Sequence, residues 1–474
     1  MTNIDGKNTF LQLLGGSSIG KGINFGINLL LSRVLGPVEL GLFALIQSTS
    51  QTFELLSRAG VDYGLSCALT EPQQEGKEKN TDQLMIHAAL QVVRYASFFL
   101  LFLLLLWLGP GRGLLPEYLT NNRRLFILIV SLVCMSESMS GLPWDILLVQ
   151  GKVNLVRLRQ SLFVPLKLLS ALLGAWLGGI VAALTCYAAM ATLQAVWLNK
   201  RVIVKGQIHK NSALEWEKVK KLVGDGFALY SSNALSAIVF LPLLADIANV
   251  SGLQSIGYLR AGQIVVQVFT LIPGALAPVL FIKSRTSHTD SKKNSVTEQS
   301  LLLIWIFGLA TLLAYIAIDK QLISLLFGSD YRNSLQPTRL LVYITILDSV
   351  GQILHTALLA KRKIKLFVCV QNSALALSAL VGWYSIPRIG LDGFLLSKFI
   401  FAGLPALIYL YKAWESIDSK GIIYALVVTS IIALPVCWID SIPLSLEVTL
   451  IGIMVALVSF AAIKFKSYLT MLNS

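Results

Sequence analysis

The chain has 474 residues, of which 55% are hydrophobic and only 14% charged, with a mean hydropathy of +0.71. Soluble globular chains carry about a quarter charged residues, so this composition excludes one. The net charge of +14, from 39 Lys+Arg against 25 Asp+Glu, would sit on a folded soluble domain in a nucleic-acid binder; here it falls in short loops between apolar segments, so no nucleic-acid partner is expected.

Many apolar segments run to about 20 residues, the length that crosses roughly 30 Å of hydrocarbon as a helix. The alternation over about 10 residues expected of a membrane barrel strand is absent. The fold class is therefore all-α, a polytopic membrane protein. Fourteen spans are predicted, at about 10–34, 38–62, 84–108, 124–149, 160–178, 180–199, 222–246, 257–282, 299–318, 338–360, 366–386, 391–411, 421–439 and 444–463.

Span 1 carries Ser17, Lys21, Asn24 and Asn28 at i, i+4, i+7 and i+11, which places them on one helical face. After the turn Gly36-Pro37, span 2 repeats the pattern with Gln47, Gln51, Glu54 and Arg58. Polar groups in hydrocarbon tend to face water or one another, so two such stripes point to a wet interior. The run from Gly15 to Gly22 looks like a phosphate-binding loop, but it lacks the final Ser/Thr and follows no strand; it reads as a small-residue helix face. Residues 71–83 form a solvated linker. Span 3 contributes Arg94, span 4 Glu137 and span 5 Lys167; spans 5 and 6 share the hinge Gly178-Gly179. Span 7 places Asp225, Ser232 and Ser236 on one side. Span 8 aligns Arg260, Gln263, Gln267 and Thr270, with Pro273 and Pro278 beyond. Span 10 aligns Thr345, Asp348, Gln352 and His355, and span 12 holds Lys398.

Lys and Arg concentrate in alternate loops, among them Lys200, Arg201, Lys205, Lys283, Arg285, Lys361, Arg362 and Lys363. The positive-inside rule makes those loops, and both termini, cytoplasmic. No compact apolar run at the N-terminus ends in a cleavage site, so no removable signal peptide is expected. The five cysteines are single and widely spaced, which suits core residues rather than bridges or metal ligands. The four histidines are isolated, with no HExxH, DxD or GxSxG pattern. No metal, cofactor or catalytic residue is expected, and the chain does not read as an enzyme.

An internal repeat appears at an offset of 216 residues. Gly36, Gly41, Gln47, Gln51 and Phe53 align without a gap on Gly252, Gly257, Gln263, Gln267 and Phe269. Span 2 thus answers span 8, and a six-span period keeps both halves in one orientation, the plan of parallel repeats with a site between halves. The expected organisation is a six-helix lobe over 1–200, a basic linker over 201–221, a second six-helix lobe over 222–411, and two additional helices over 412–474.

Each intramembrane charge also has a structural reading, as a snorkelling group or half of a helix–helix ion pair. Arg58, Asp225 and His355 lie near span ends, where that reading is strong. Lys21, Arg94 and Glu54 lie deeper. Bases in a water-filled cavity attract an anionic substrate, and amides hydrogen-bond sugars or phosphates. Glu54 suits either a proton carrier or a structural pair with Arg58 at i, i+4.

The segments LSRVLGPVELGLFALIQS and LSRAGVDYGLSCALTE resemble the opening of polysaccharide-biosynthesis flippases of the multidrug/oligosaccharidyl-lipid/polysaccharide exporter superfamily. The stretch LADIANVSGLQSIGYLRAGQIVVQVFTLIPGALAPVLF is similar to that family's seventh and eighth helices, and LISLLFGSDYRNSLQPTRLLVYITILDSVGQILHTALLAKRKIKL to its ninth-to-tenth helix connection. The resemblance covers about 10–411 and rests on hydrophobic pattern and scattered glycines. It implies two six-helix lobes around a cationic cavity, moving a lipid-linked oligosaccharide across the cytoplasmic membrane by alternating access, as in O-antigen or lipopolysaccharide export. Lys21 and Arg260 match the family's basic lumen residues by position, followed by Arg58 and Arg94.

The residues expected to bind substrate are Lys21, Asn24, Asn28, Gln47, Gln51, Glu54, Arg58, Arg94, Arg260, Gln263 and Gln267. Glu54, Glu137 and Asp348 are the candidates for a coupling ion. The expected partners are a lipid-linked glycan, membrane lipids and other polysaccharide-assembly proteins. Two alternatives stay open. A cation-coupled multidrug exporter of the same fold would favour an acidic, aromatic pocket, whereas bases dominate spans 1, 3 and 8. A membrane glycan polymerase, ligase or glycosyltransferase would need a sizeable outer loop and a positioned acid.

Overall fold

The computed structural model describes residues 6–62, 64–65, 79–108, 123–149, 152, 155, 158–203, 216–270, 290–360, 364–414, 420–438 and 444–473. Residues 71–78 of the expected linker 71–83, Pro273, Pro278 and Cys67 lie outside them, as do the side chains of Ser17 and Asp225, whereas 79–83 are helix. The elements are all helical: α1 Gly6–Arg58, α2 Lys79–Leu108, α3 Arg123–Val149, α4 Val164–Ile203, α5 Trp216–Phe269, α6 Asp290–Phe327, α7 Leu335–Ala360, α8 Ile364–Ile389, α9 Leu391–Ala413, α10 Lys420–Trp438 and α11 Leu444–Asn473. A π-helical turn, Arg159–Phe163, opens α4, and a 3-10 turn, Ser329–Ser334, precedes α7. The P-loop-like run lies inside α1 and is helix throughout.

Ten segments are long and apolar enough to cross a membrane, and three of them are of double length: Gly20–Arg58, Ser161–Arg201 and Tyr230–Phe269. Each of these three breaks at glycine. Counting them twice and adding the shorter apolar helix Leu450–Lys464 gives fourteen crossings among the described residues. The protein is a multi-pass helical membrane protein.

The glycines at the breaks of α1 and α5 adopt the same backbone conformation. Gly36 has φ 67° and ψ 175°, and Gly252 has φ 78° and ψ 164°. Side chains other than hydrogen are disfavoured there, so the first pair of positions aligned by the 216-residue offset is one at which both copies require glycine. Beyond Gly36, Pro37 has no N–H to leave unsatisfied and restarts the helix. In α4 the break at Gly178-Gly179 folds the chain back on itself. Ser170 Oγ reaches the Cys186 carbonyl at 3.2 Å, and a Cβ on Gly174 would lie 2.7 Å from the Ala182 carbonyl carbon.

The chain forms two compact units, 1–249 and 250–474. In the first, α3 packs on α1, α2 and α4. Its core holds Leu31, Leu40, Leu42, Phe43, Leu142, Trp144, Ile146 and Leu147, each at most 1% exposed. The early part of α5 also packs here: Tyr230 donates its hydroxyl to the Leu56 carbonyl at 3.0 Å. Lipid tails are as apolar as leucine, so helix association relies on close packing and interhelical hydrogen bonds. A serine relay supplies them, with Ser138 donating to Ser57 at 2.7 Å and bonded to Ser97.

In the second unit α9 packs on α7 and α8, and α10 and α11 pack on α6. Ser378 and Ser397 each donate to the other's carbonyl at 2.8 Å, joining α8 to α9. Ser430 of α10 accepts from the Trp305 indole at 2.9 Å, while its carbonyl accepts from Tyr343 at 2.8 Å. Asp319 of α6 forms a buried ion pair with Arg339 of α7.

Candidate functional site

In the first unit the stripe of α1 splits by height. Lys21 and Gln51 are exposed, Asn24 is half-buried, and Asn28 and Gln47 are buried. Asn28 Nδ2 donates to the Asn24 carbonyl at 2.8 Å, and the side-chain oxygens of both asparagines are buried with no hydrogen-bond partner among the described residues. Gln47 hydrogen-bonds Tyr187 of α4, whose hydroxyl donates to Glu137 of α3 at 2.9 Å. Lys167 of α4 closes this network with a 2.6 Å bond to Glu137 and sits 5.6 Å from the Tyr187 ring centroid. Glu137, Lys167 and Tyr187 are all buried. One helix from the stripe is thereby tied to two others through a fully paired charge.

Arg58 ends α1 and is held by three carboxylates. It pairs with Glu54, reaches Asp145 of α3 at 2.8 Å and contacts Asp62 at 3.4 Å. Arg159 approaches Glu54 at 3.8 Å and stacks over Trp144 at 5.8 Å. Gly141 makes this possible: a Cβ there would meet Glu54 Oε1 at 2.5 Å and Arg58 Nη2 at 2.6 Å. Of the residues expected to bind substrate, the first unit thus brings Glu54 and Arg58 together, while Lys21 stands apart as an exposed base. Arg94 lies on α2, half-buried.

In the second unit Arg260 donates to Gln263 at 3.4 Å. Gln263 is exposed and Gln267 half-buried. The aligned glutamines are therefore not equivalent in their surroundings: Gln47 is drawn into the Tyr187 network, and its counterpart Gln263 turns to Arg260. On α7, Asp348 is exposed, accepts from Gln352 at 3.1 Å and faces the charge of Lys398 on α9. His355 stacks on Phe367 at 4.5 Å, a packing role.

Asp145, Arg159 and Gly141 were not expected from the sequence. The signal was present, because Glu137, Gly141 and Asp145 recur every four residues, matching Glu54 and Arg58 on α1 and Asp62 just beyond it. Also unexpected is an apolar groove of about 340 Å³ in the first unit. It is lined by Leu42, Ile46 and Phe53 of α1, Leu100 and Leu104 of α2, Phe126 of α3 and Pro242 of α5. No group of three or more His, Cys, Asp or Glu among the described residues is placed to hold a metal ion.

No protein-family model and no curated protein matches the chain. Solved structures do. The lipid II flippase MurJ, in an inward-closed conformation, is 12% identical, covering 97% of this chain and 100% of that one with a TM-score of 0.72. An inward-facing multidrug-resistance MATE transporter of the MOP superfamily is 14% identical over 84% of this chain and 94% of that one, with a TM-score of 0.64. Its outward-facing counterpart is 13% identical over 86% and 95%, with a TM-score of 0.59. At such identities the likeness speaks for fold. The chain has the fold shared by the MurJ flippase and the MATE transporters of the MOP superfamily, in agreement with the resemblance read from its sequence.

Proposed function

We propose that the protein is a flippase that moves a lipid-linked oligosaccharide or polysaccharide repeat unit across the cytoplasmic membrane by alternating access. The observation that carries this reading is a set of surface-accessible bases and amides inside membrane spans. Lys21 and Gln51 are exposed on α1, and Arg260 with Gln263 lies on α5. Such groups are expensive in hydrocarbon and serve where water and an anionic or sugar-bearing substrate pass. The likeness to a lipid II flippase supports a lipid-linked substrate. In this reading Lys21, Asn24, Gln51, Arg260, Gln263 and Gln267 contact the substrate, and both termini are cytoplasmic. Asp348 is the carboxylate for a coupling ion, because Glu54 and Glu137 are already paired to Arg58 and Lys167.

The likeness to MATE transporters favours a second reading, a cation-coupled multidrug exporter. Deletion distinguishes the two. A flippase mutant accumulates complete lipid-linked repeat units on the inner leaflet. An exporter mutant gains sensitivity to organic cations with its glycans intact. Lys21→Ala and Arg260→Ala are each expected to reduce surface glycan at least tenfold in proteins that still reach the membrane, the effect of losing about 1.4 kcal/mol of substrate interaction. Normal glycan export by both variants would sink the assignment of those two bases.

A further inference from the structure

A single stripe along α2 changes character halfway. His87, Gln91, Arg94, Phe98, Phe102 and Leu105 follow one another at spacings of 4, 3, 4, 4 and 3, and so occupy one helical face. An adjoining arc, with Ala89, Leu90, Val93 and Ser97, is buried in the first unit. The upper half of the stripe is open: Phe98 is 57% exposed, Phe102 59% and Leu105 41%, and the adjoining Tyr95 and Phe99 are exposed too. Within a membrane span, a broad apolar surface of that kind faces acyl chains. The lower half continues the same helical face but is half-buried, with His87 bonded to Gln91 at 2.9 Å and Arg94 one turn higher.

Depth makes this arrangement costly. The span predicted from the sequence begins at about residue 84, so at 1.5 Å per residue Arg94 lies roughly 15 Å in, close to the middle of a 30 Å core. A guanidinium there needs an anion or water drawn inward, because no carboxylate partners Arg94 among the described residues. His87 and Gln91 form polar steps from the interface toward it. The anions that a lipid-facing guanidinium meets are headgroup phosphates, and charge complementarity selects lipids whose phosphate is not neutralised by an amine.

We propose that His87, Gln91 and Arg94 form a binding surface for the phosphate of an anionic bilayer phospholipid, drawn into the leaflet along α2. The site is separate from the bases assigned to substrate, Lys21 and Arg260, and does not depend on what the protein transports.

The test uses the full-length protein in nanodiscs of equal parts phosphatidylglycerol and phosphatidylcholine, with retained lipid read by native mass spectrometry. The wild type is expected to retain phosphatidylglycerol in preference. Arg94→Gln is expected to lower that preference about fivefold, the worth of one interfacial basic residue, and Arg94→Lys to keep most of it. His87→Leu with Gln91→Leu is expected to weaken it with the guanidinium still present. Equal retention of both lipids by the wild type overturns the proposal, whether or not the variants fold. An undiminished preference in Arg94→Gln overturns it as well. A changed oligomeric mass in Arg94→Gln would assign the stripe to a second copy of the chain instead.

Discussion

Arg58 shows how a charge expected to meet substrate can serve the scaffold. Its guanidinium satisfies Glu54, Asp62 and Asp145, and two bases stand among three acids once Arg159 is included. Removing one partner of a partly buried ion cluster leaves the others uncompensated. Arg58→Ala is therefore expected to lower stability by about 3–5 kcal/mol, measured as unfolding in detergent, and Asp145→Asn by less because Arg58 keeps two carboxylates. A loss of transport in Arg58→Ala with stability unchanged would return Arg58 to the substrate. The pairing with Glu54 was legible from the i, i+4 spacing. The partner Asp145 was not, because it comes from another helix 87 residues away and only the close approach at Gly141 brings it within reach. Glu137 was legible as an intramembrane acid, but its two partners on α4 depend on how α3 and α4 pack.

Among the elements, the broken double helices were the most readable, since their breaks fall on glycines that punctuate long apolar runs. The match of Gly36 with Gly252 rested on five identities, and the shared left-handed backbone gives it a physical cause. Gly36→Ala and Gly252→Ala are each expected to cost about 1–2 kcal/mol, although no atom lies within 4 Å of where either Cβ would stand. The cost is purely conformational, and because ψ is 175° at Gly36, in a region that only glycine readily enters, Gly36→Asn should not recover it. Equal stability of Gly36→Ala and wild type would contradict the backbone assignment. The aligned glutamines were a poorer guide, because burial of an amide is decided by its neighbours and Tyr187 lies outside the repeat.

For the whole molecule, composition and span length were enough to reach a polytopic helical protein with fourteen crossings among its described residues. The apolar groove was invisible, since its walls come from four helices and carry no chemical signature. Topology is still open to direct test. In a chain whose native cysteines are replaced, Ser329→Cys, exposed in the turn before α7, is expected to react with an impermeant maleimide from outside intact cells. Lys365→Cys, exposed at the start of α8, should react only after permeabilisation. The reverse pattern would place the termini outside.

The glycine break in α1 also bears on how the chain enters the bilayer during synthesis. A lysine at the centre of an isolated helix opposes insertion by about 2.5–3.5 kcal/mol. The segment bearing Lys21 is joined through Gly36-Pro37 to one that carries Leu40, Leu42, Phe43 and Ile46 and needs no separate loop. The two halves can leave the translocon as one hairpin, the apolar start of the second half helping to carry the first half with it. Lengthening that turn with a flexible insert would uncouple them, and the first half alone would then face the membrane with its lysine unassisted.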